Sequence, residues 1–277
     1  MRIRHVGIVK KRGLEEAERL GAELADWFVK KSVTTVFDSI SEEMDLIVIL
    51  GGDGTLLHVA EQASHYQIPV VGINLGSLGF LTEIAVRERY NVLETLLNAS
   101  AAIEDRTMLK ARIHSGGKKS DWRFALNDVV VSRGILERLV RLVTWADREY
   151  ITTYKADGLI FSTPTGSTAY NLSSGGPIVH PGLAAILVTP ICPFMLESRP
   201  LLLPPDCRLI TRLVESRKEV SVIIDGQPVW MMKNDDELEV VVAGKPLKLV
   251  CSSRKGYFDI LRNKLNWGGV ALEEKKS

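Results

Sequence analysis

Residues 46–60 read Leu-Ile-Val-Ile-Leu-Gly-Gly-Asp-Gly-Thr-Leu-Leu-His-Val-Ala. The first five are continuously apolar, as expected of a strand buried on both faces of a parallel sheet. They run directly into Gly51, Gly52, Asp53 and Gly54, and Thr55 is placed to cap the helix predicted over 55–66. Glycines at a strand-to-helix turn permit positive φ and let a ligand approach the backbone. The helix N-terminus beyond them offers unpaired N–H groups and a positive dipole end, both suited to phosphate. Two readings stay open on these residues alone. In one, the turn cradles phosphate while Asp53 takes a proton from an attacking hydroxyl or holds Mg²⁺. In the other, the glycines serve a tight turn and Asp53 caps the helix.

Working outward, residues 3–9 and 33–37 read as strands flanking a helix over 14–29, whose apolar stripe is Leu14, Ala17, Leu20, Leu24 and Phe28. A further strand is expected at 69–74 and a helix at 86–98. This rhythm predicts a doubly wound, Rossmann-like α/β N-terminal domain over residues 1–105. Beyond it the texture changes to short alternating stretches: 109–114, 122–131, 139–146, 159–162, 220–225, 238–242 and 247–251. Ser115-Gly116-Gly117-Lys118 reads as a hairpin loop. Residues 106–258 are therefore expected to form a mostly-β C-terminal domain with one helix after Pro164. Residues 259–277 are expected to return to the N-terminal domain.

Composition bounds the function classes. A net charge of +1 gives no global attraction for nucleic acid or acidic lipid. Three cysteines, Cys192, Cys207 and Cys251, lack CxxC spacing, which argues against a disulfide framework or zinc site. The first twelve residues have no apolar core of a secretory signal, and no apolar run approaches the roughly 20 residues that span a bilayer. A cytoplasmic protein without membrane or nucleic-acid partners is expected. No Walker A pattern occurs, and Gly72, Gly76 and Gly79 do not have the spacing of the dinucleotide fingerprint.

Two further segments stand out. Residues 155–177 carry eight hydroxyl side chains between Ser162 and Ser174, and a helix starting near Pro164 would present backbone donors to a polar ligand. A Ser/Thr/Gly-rich surface loop fits the same composition. Asn127 and Asp128 interrupt the apolar frame FALNDVVVS. Buried polar groups need partners, so the pair either serves a ligand or marks a bulge or strand end.

Together the GGDGT of 51–55, NLGSLGFLTE of 74–83, Asn127–Asp128, DGLIFSTPTGSTAYNLSSGGPIV of 157–179 and DGQ of 225–227 resemble the NAD kinase family, in the family's order and over most of the chain. GGDGT alone is shared with phosphofructokinases and with diacylglycerol and sphingosine kinases; TPTGSTAY is more specific. The resemblance implies transfer of a phosphoryl group from ATP or polyphosphate to the 2′-hydroxyl of the adenosine ribose of NAD. It makes Asp53 the general base and Gly51, Gly52, Gly54 and Thr55 the phosphate loop. Mg²⁺ would be bridged by the donor phosphates; no direct protein ligand is assigned to it, and Asp53 is the candidate. Asn127, Asp128 and Asp157 correspond to dinucleotide contacts, with Lys155 a basic neighbour. Thr165, Thr168, Ala169, Tyr170, Asn171, Leu172 and Ser173 correspond to the adenine and nicotinamide pockets, Gln227 to a further ligand contact, and Phe80 to a residue near the adenine. Three positions depart from the common pattern. Asp128 stands where many members have Glu, His58 where many have Arg or Lys near the phosphates, and Cys192 aligns with a contact position in a poorly matched stretch. The family's implied site lies in the cleft between the domains, and its members assemble as homodimers or homotetramers. A lipid kinase and a non-catalytic NAD(P)-binding sensor are the competing classes, the first opposed by TPTGSTAY and the Asn–Asp pair, the second by the presence of Asp53.

Overall fold

The computed structural model describes residues 3–98, 101–134, 139–216, 220–252 and 256–267. The chain forms two compact units, one of residues 1–104 with 248–277 and one of residues 105–247. The first begins with β1 (His5–Lys10), α1 (Glu15–Lys30), β2 (Thr34–Phe37), β3 (Leu46–Gly51), α2 (Asp53–Tyr66), β4 (Val70–Asn74), β5 (Ile84–Ala85), α3 (Arg89–Leu97) and β6 (Ile103–Arg106). Helix α1 carries Glu15, Glu16 and Glu18 in its first turn and Lys30 in its last, each matched to the dipole end it faces. Its Ala17, Leu20, Leu24 and Phe28 stripe packs with β1 and β3 into one core. All six residues of β3 are buried, which accounts for the continuous apolar run.

The second unit is built from β7 (Leu109–Ser115), β8 (Lys118–Lys119), β9 (Arg123–Ala125), β10 (Asp128–Ser132), β11 (Val140–Ala146), β12 (Glu149–Ala156), β13 (Gly158–Ser162), the one-turn helix α4 (Tyr170–Ser173), β14 (Ile186–Ile191), β15 (Leu201–Leu203), β16 (Leu209–Val214), β17 (Val220–Ile224), β18 (Gln227–Met232) and β19 (Glu237–Val242). One sheet runs β15-β14-β13-β10-β17-β18; the other runs β12-β11-β16-β19-β7-β8, with β9 also on β7. Alternating residues of β7, β16 and β17 point into a core shared by the two sheets. The β7–β8 loop has Gly116 at φ 56° and Gly117 at φ 77°, the positive pair that a two-residue hairpin turn favours.

The chain then returns to the first unit as β20 (Leu247–Val250) and α5 (Tyr257–Leu265), and that unit's sheet runs β2-β1-β3-β4-β20-β6, with β5 on β4. Residues 247–251 were expected in the β domain. Instead Leu249 pairs parallel with Val70, and Leu247, Leu249 and Val250 are buried. An apolar strand of four residues carries no mark of which sheet it joins. Residues 268–277 lie outside the described residues.

Three other expectations change. The stretch 122–131 is two strands, β9 and β10, broken at Leu126–Asn127. The helix after Pro164 is a 3₁₀ turn (Thr165–Thr168) followed by α4, interrupted where Ala169 leaves helical geometry at φ −95°, ψ −131°. The segment 86–98 opens with a 3₁₀ turn, Val86–Glu88, before α3.

Candidate active site

In the first unit, β3 delivers Gly51 to the end of the sheet and α2 starts at Asp53, two residues earlier than expected. Thr55 therefore sits inside the first turn and is not the cap; that position is Gly52, at φ −108°, and no side chain caps the helix. The positive φ expected at Gly51, Gly52 and Gly54 is absent, so conformational freedom does not account for these glycines. A Cβ on Gly51 would lie 2.5 Å from Thr55 Oγ1, whereas at Gly52 and Gly54 it would meet no protein atom within 4 Å. Both of these glycines line a cavity of about 620 Å³ with Thr55 and His58, beneath the end of β1. The end of β1 contributes Lys10, Lys11 and Arg12 to the lining. Lys10 is held by the carboxylates of Glu18 and Asp38, whereas Lys11 and Arg12 are exposed. Cationic side chains, a helix N-terminus and two glycines without side-chain bulk suit this cavity to an anion, beside the Asp38 carboxylate that pairs with Lys10.

Asp53 does not cap its helix. Its Oδ1 accepts from the N–H of Leu81 (3.1 Å), the N–H of Thr82 (2.9 Å) and the Thr82 hydroxyl (2.8 Å). Among the described residues, its Oδ2 accepts only from the N–H of Phe80, at 2.9 Å. The carboxylate thus ties the start of α2 to the loop between β4 and β5, and Oδ2 keeps a lone pair available. Phe80 is half-buried beside it.

The second unit brings three distant segments together around Asn127 and Asp128. The Asp225 carboxylate accepts the N–H groups of Leu126 and Asn127 at 2.8 Å and of Asp128 at 3.0 Å. This grip breaks the 122–131 strand. Asp225 (φ 45°) and Gly226 (φ 80°) form the two-residue turn between β17 and β18, and Gln227 opens β18 at the surface. From the other side, Thr163 donates its N–H to the Asn127 carbonyl (2.9 Å) and its hydroxyl to the Leu126 carbonyl (2.6 Å). Gly166 packs so closely that a Cβ there would lie 2.1 Å from the Asn127 carbonyl oxygen. The Thr165 hydroxyl is buried with no partner among the described residues.

The remaining expected contacts divide. Thr168, Ala169 and Leu172 are half-buried, and Tyr170 and Ser173 are exposed. Asn171 points inward and is fully used there: its Nδ2 donates to the carbonyls of Ser167 and Pro177 (3.1 Å each), and its Oδ1 accepts from Thr189 at 2.6 Å. Asp157 is paired with Arg133 Nε at 2.5 Å, and the Lys155 ammonium lies 4.4 Å from the centre of the Phe194 ring. Cys192 is exposed with φ 44°. Asp225, Thr82, Asn74 and Thr163 lie inside the stretches that carry the family resemblance, but none was given a role of its own from sequence, because a motif does not record which backbone group its polar residues hold.

Burial, reinforced by the charge of Asp225, pushes the Asp128 carboxyl up to about 7. Against an unfolded value near 4, this carboxyl holds its proton more tightly when folded. Its contribution to stability is complete below pH 4 and is lost as pH rises toward 7. Asp128→Asn is therefore expected to melt higher than the parent at pH 8, by the equivalent of about 4 kcal/mol, with the gap closing toward pH 4. Melting curves at pH 4, 6 and 8 test this; a gap independent of pH contradicts it.

A doubly wound unit with a GGDG turn opening on a basic cavity is joined in one chain to a two-sheet β unit, and both units match domains known from kinases. The ATP-NAD kinase N-terminal domain model matches residues 25–101 and the ATP-NAD kinase C-terminal domain model matches residues 126–252. The NAD kinase of Geotalea daltonii is 46% identical over 237 residues, 86% of this chain and 84% of that protein. The NAD kinase of Syntrophobacter fumaroxidans is 40% identical over 96% of this chain and 99% of its own length. Among solved structures, yeast NADH kinase complexed with NADH superimposes with a TM-score of 0.89 at 28% identity, over 99% of this chain and 91% of that one. An Archaeoglobus fulgidus NAD kinase in complex with ATP shares the fold, with a TM-score of 0.74 at 22% identity over 95% and 98% of the two chains. The chain belongs to the NAD kinase family.

Proposed function

We propose that this enzyme transfers the terminal phosphoryl group of ATP to the 2′-hydroxyl of the adenosine ribose of NAD, giving NADP, with Asp53 as the general base. The observation that carries this reading is the asymmetry of the Asp53 carboxylate, with three donors on Oδ1 and one on Oδ2, inside a chain of the NAD kinase family. Oδ2 takes the proton of the 2′-hydroxyl as the oxygen attacks the terminal phosphorus, and the bond to the leaving diphosphate breaks. The donor phosphates sit in the cavity beside Gly52 and Gly54, near Lys11, Arg12 and His58. Asn127, Asp128, Asp157 and Gln227 receive the hydroxyls and amides of NAD. The orphan Thr165 hydroxyl fits the same role, since a buried unpaired hydroxyl gains a partner when a polar ligand binds. Phe80 and the 168–173 segment line the bases.

Among the described residues no group of three His, Cys, Asp or Glu side chains could hold a metal ion. That donor set does not suit an all-protein cage, but it suits Mg²⁺ carried in on phosphate oxygens with Asp53 as one carboxylate neighbour. Bound there, the ion would neutralise charge on the donor phosphates. Cytoplasmic location and a homodimer or homotetramer complete the reading; no helix among the described residues is long and apolar enough to cross a membrane.

The expected result is NADP formation from NAD with ATP and Mg²⁺, lost with EDTA and restored by added Mg²⁺. Parallel reactions with polyphosphate and with NADH define donor and acceptor range. Undiminished turnover in EDTA would remove the metal from the account.

A further inference from the structure

We infer that Thr82 is a positioning residue for Asp53, its hydroxyl fixing which carboxylate oxygen is left to receive the acceptor's proton; this rests on the reading of Asp53 as the base. Thr82 is fully buried. Its hydroxyl lies between two groups, 2.8 Å from Asp53 Oδ1 and 2.8 Å from Asn74 Nδ2. The Asn74 amide is oriented by its own contacts: Oδ1 accepts the N–H of Gly76 at 2.7 Å, and Nδ2 also donates to the Thr82 carbonyl at 3.1 Å. An amide nitrogen only donates, so the Thr82 oxygen must accept from Asn74, and its single proton is committed to Asp53. The polarity of the chain Asn74–Thr82–Asp53 is thereby set from the end of β4.

The consequence falls on the carboxylate. With the hydroxyl, Oδ1 holds three donors and the plane of the carboxylate is fixed, leaving Oδ2 with one donor and an open lone pair. The surrounding backbone is cleared for this contact. A Cβ on Gly79 would lie 2.0 Å from Asp53 Oδ1 and 2.5 Å from the Thr82 hydroxyl. A Cβ on Gly72 would lie 2.6 Å from the Thr82 methyl and 2.9 Å from its Cα. Two glycines give way so that a threonine, with both hydroxyl and methyl seated, reaches the aspartate.

Thr82→Val keeps the shape and methyl packing and removes the proton. It is expected to lower kcat about ten- to a hundredfold, because small misplacements of a reacting group cost that much. KM for NAD and for ATP should stay within about twofold, since ground-state binding does not use this contact. Thr82→Ser, which keeps the hydroxyl, should recover most of kcat. A merely structural threonine would give the opposite pattern, with Ser no better than Val and with KM and melting temperature moving together with kcat. If Thr82→Val is too unstable to assay, Asn74→Asp draws the Thr82 proton away from Asp53 and should lower kcat similarly. The variant carrying both changes should be no slower than the slower single one, because both act through one contact. Wild-type kcat in Thr82→Val or Asn74→Asp, or additive losses in the pair, overturns the inference. Asp53→Asn is measured alongside. If it keeps turnover, the base assignment fails and the positioning role with it; if it is inactive while Thr82→Val is unimpaired, only the positioning role fails.

Discussion

Asp53→Asn is expected to lower kcat by about 10²–10⁴-fold while leaving KM for NAD and ATP within a few-fold. The substitution separates two duties of one side chain. The amide oxygen of Asn can still accept the three donors now on Oδ1, so the loop 80–82 stays attached to α2. The amide nitrogen replaces Oδ2 and faces the N–H of Phe80, now 2.9 Å from that oxygen, as a second donor. One hydrogen bond is lost, at a cost of about 1–3 kcal/mol in stability, a small effect beside the loss of a base. Melting temperature should thus fall modestly while turnover collapses. Steady-state kinetics with a melting curve on the same preparation check both. Near-wild-type kcat would show that the proton leaves by another route.

The second large effect lies in the other unit. Asp225→Ala is expected to destabilise the β unit by about 3 kcal/mol or more and to raise KM for NAD at least tenfold. Three backbone N–H groups, those of Leu126, Asn127 and Asp128, lose their acceptor at once. The Asn127–Asp128 peptide is also held by Thr163 from the opposite side, so the fold survives but the presentation of the pair loosens. Asp225→Asn should be milder, because one amide oxygen still accepts from Asn127 and Asp128. Denaturant unfolding with NAD titration tests this. An alanine variant with normal KM would mean that the pair binds nothing, or that Thr163 alone suffices to hold it.

The sequence disclosed the first unit because its signals are local. A fully buried β3 must be apolar throughout, and an α1 with one buried face must show its stripe. The glycine turn was legible for the same reason, though its geometry was not: none of Gly51, Gly52 and Gly54 has positive φ, and a Cβ would be crowded by the protein only at Gly51. In the β unit, β12, β14, β15, β16 and β18 escaped notice, although β14 is buried throughout and β16 alternates like the strands that were read. Residues Glu149–Ala156 alternate weakly because the strand lies at a sheet edge with much of it exposed, and Gln227–Met232 carries Pro228 and little burial. Strand β20 was legible as a strand but not as a member of the first sheet, since partner choice depends on contacts nearly 180 residues away in sequence. The site follows the same rule. Asp53, Asn127 and Asp128 were visible as polar residues in apolar or glycine-rich frames. The groups that hold them, Thr82, Asn74 and Asp225, act across sequence separations of 8 to 99 residues, and no spacing rule records such contacts. Asn171 is the converse case: it lies in a ligand-like run, yet it spends its amide on Ser167, Pro177 and Thr189.

The central claim is most directly tested by where the phosphate goes. The enzyme is incubated with ATP labelled on its terminal phosphate, Mg²⁺, and NAD, diacylglycerol and sphingosine together, and the labelled product is identified. The account predicts label only in NADP, on the adenosine ribose 2′-oxygen, and none with Asp53→Asn. Label in either lipid, or nucleotide bound without any labelled NADP, would contradict it.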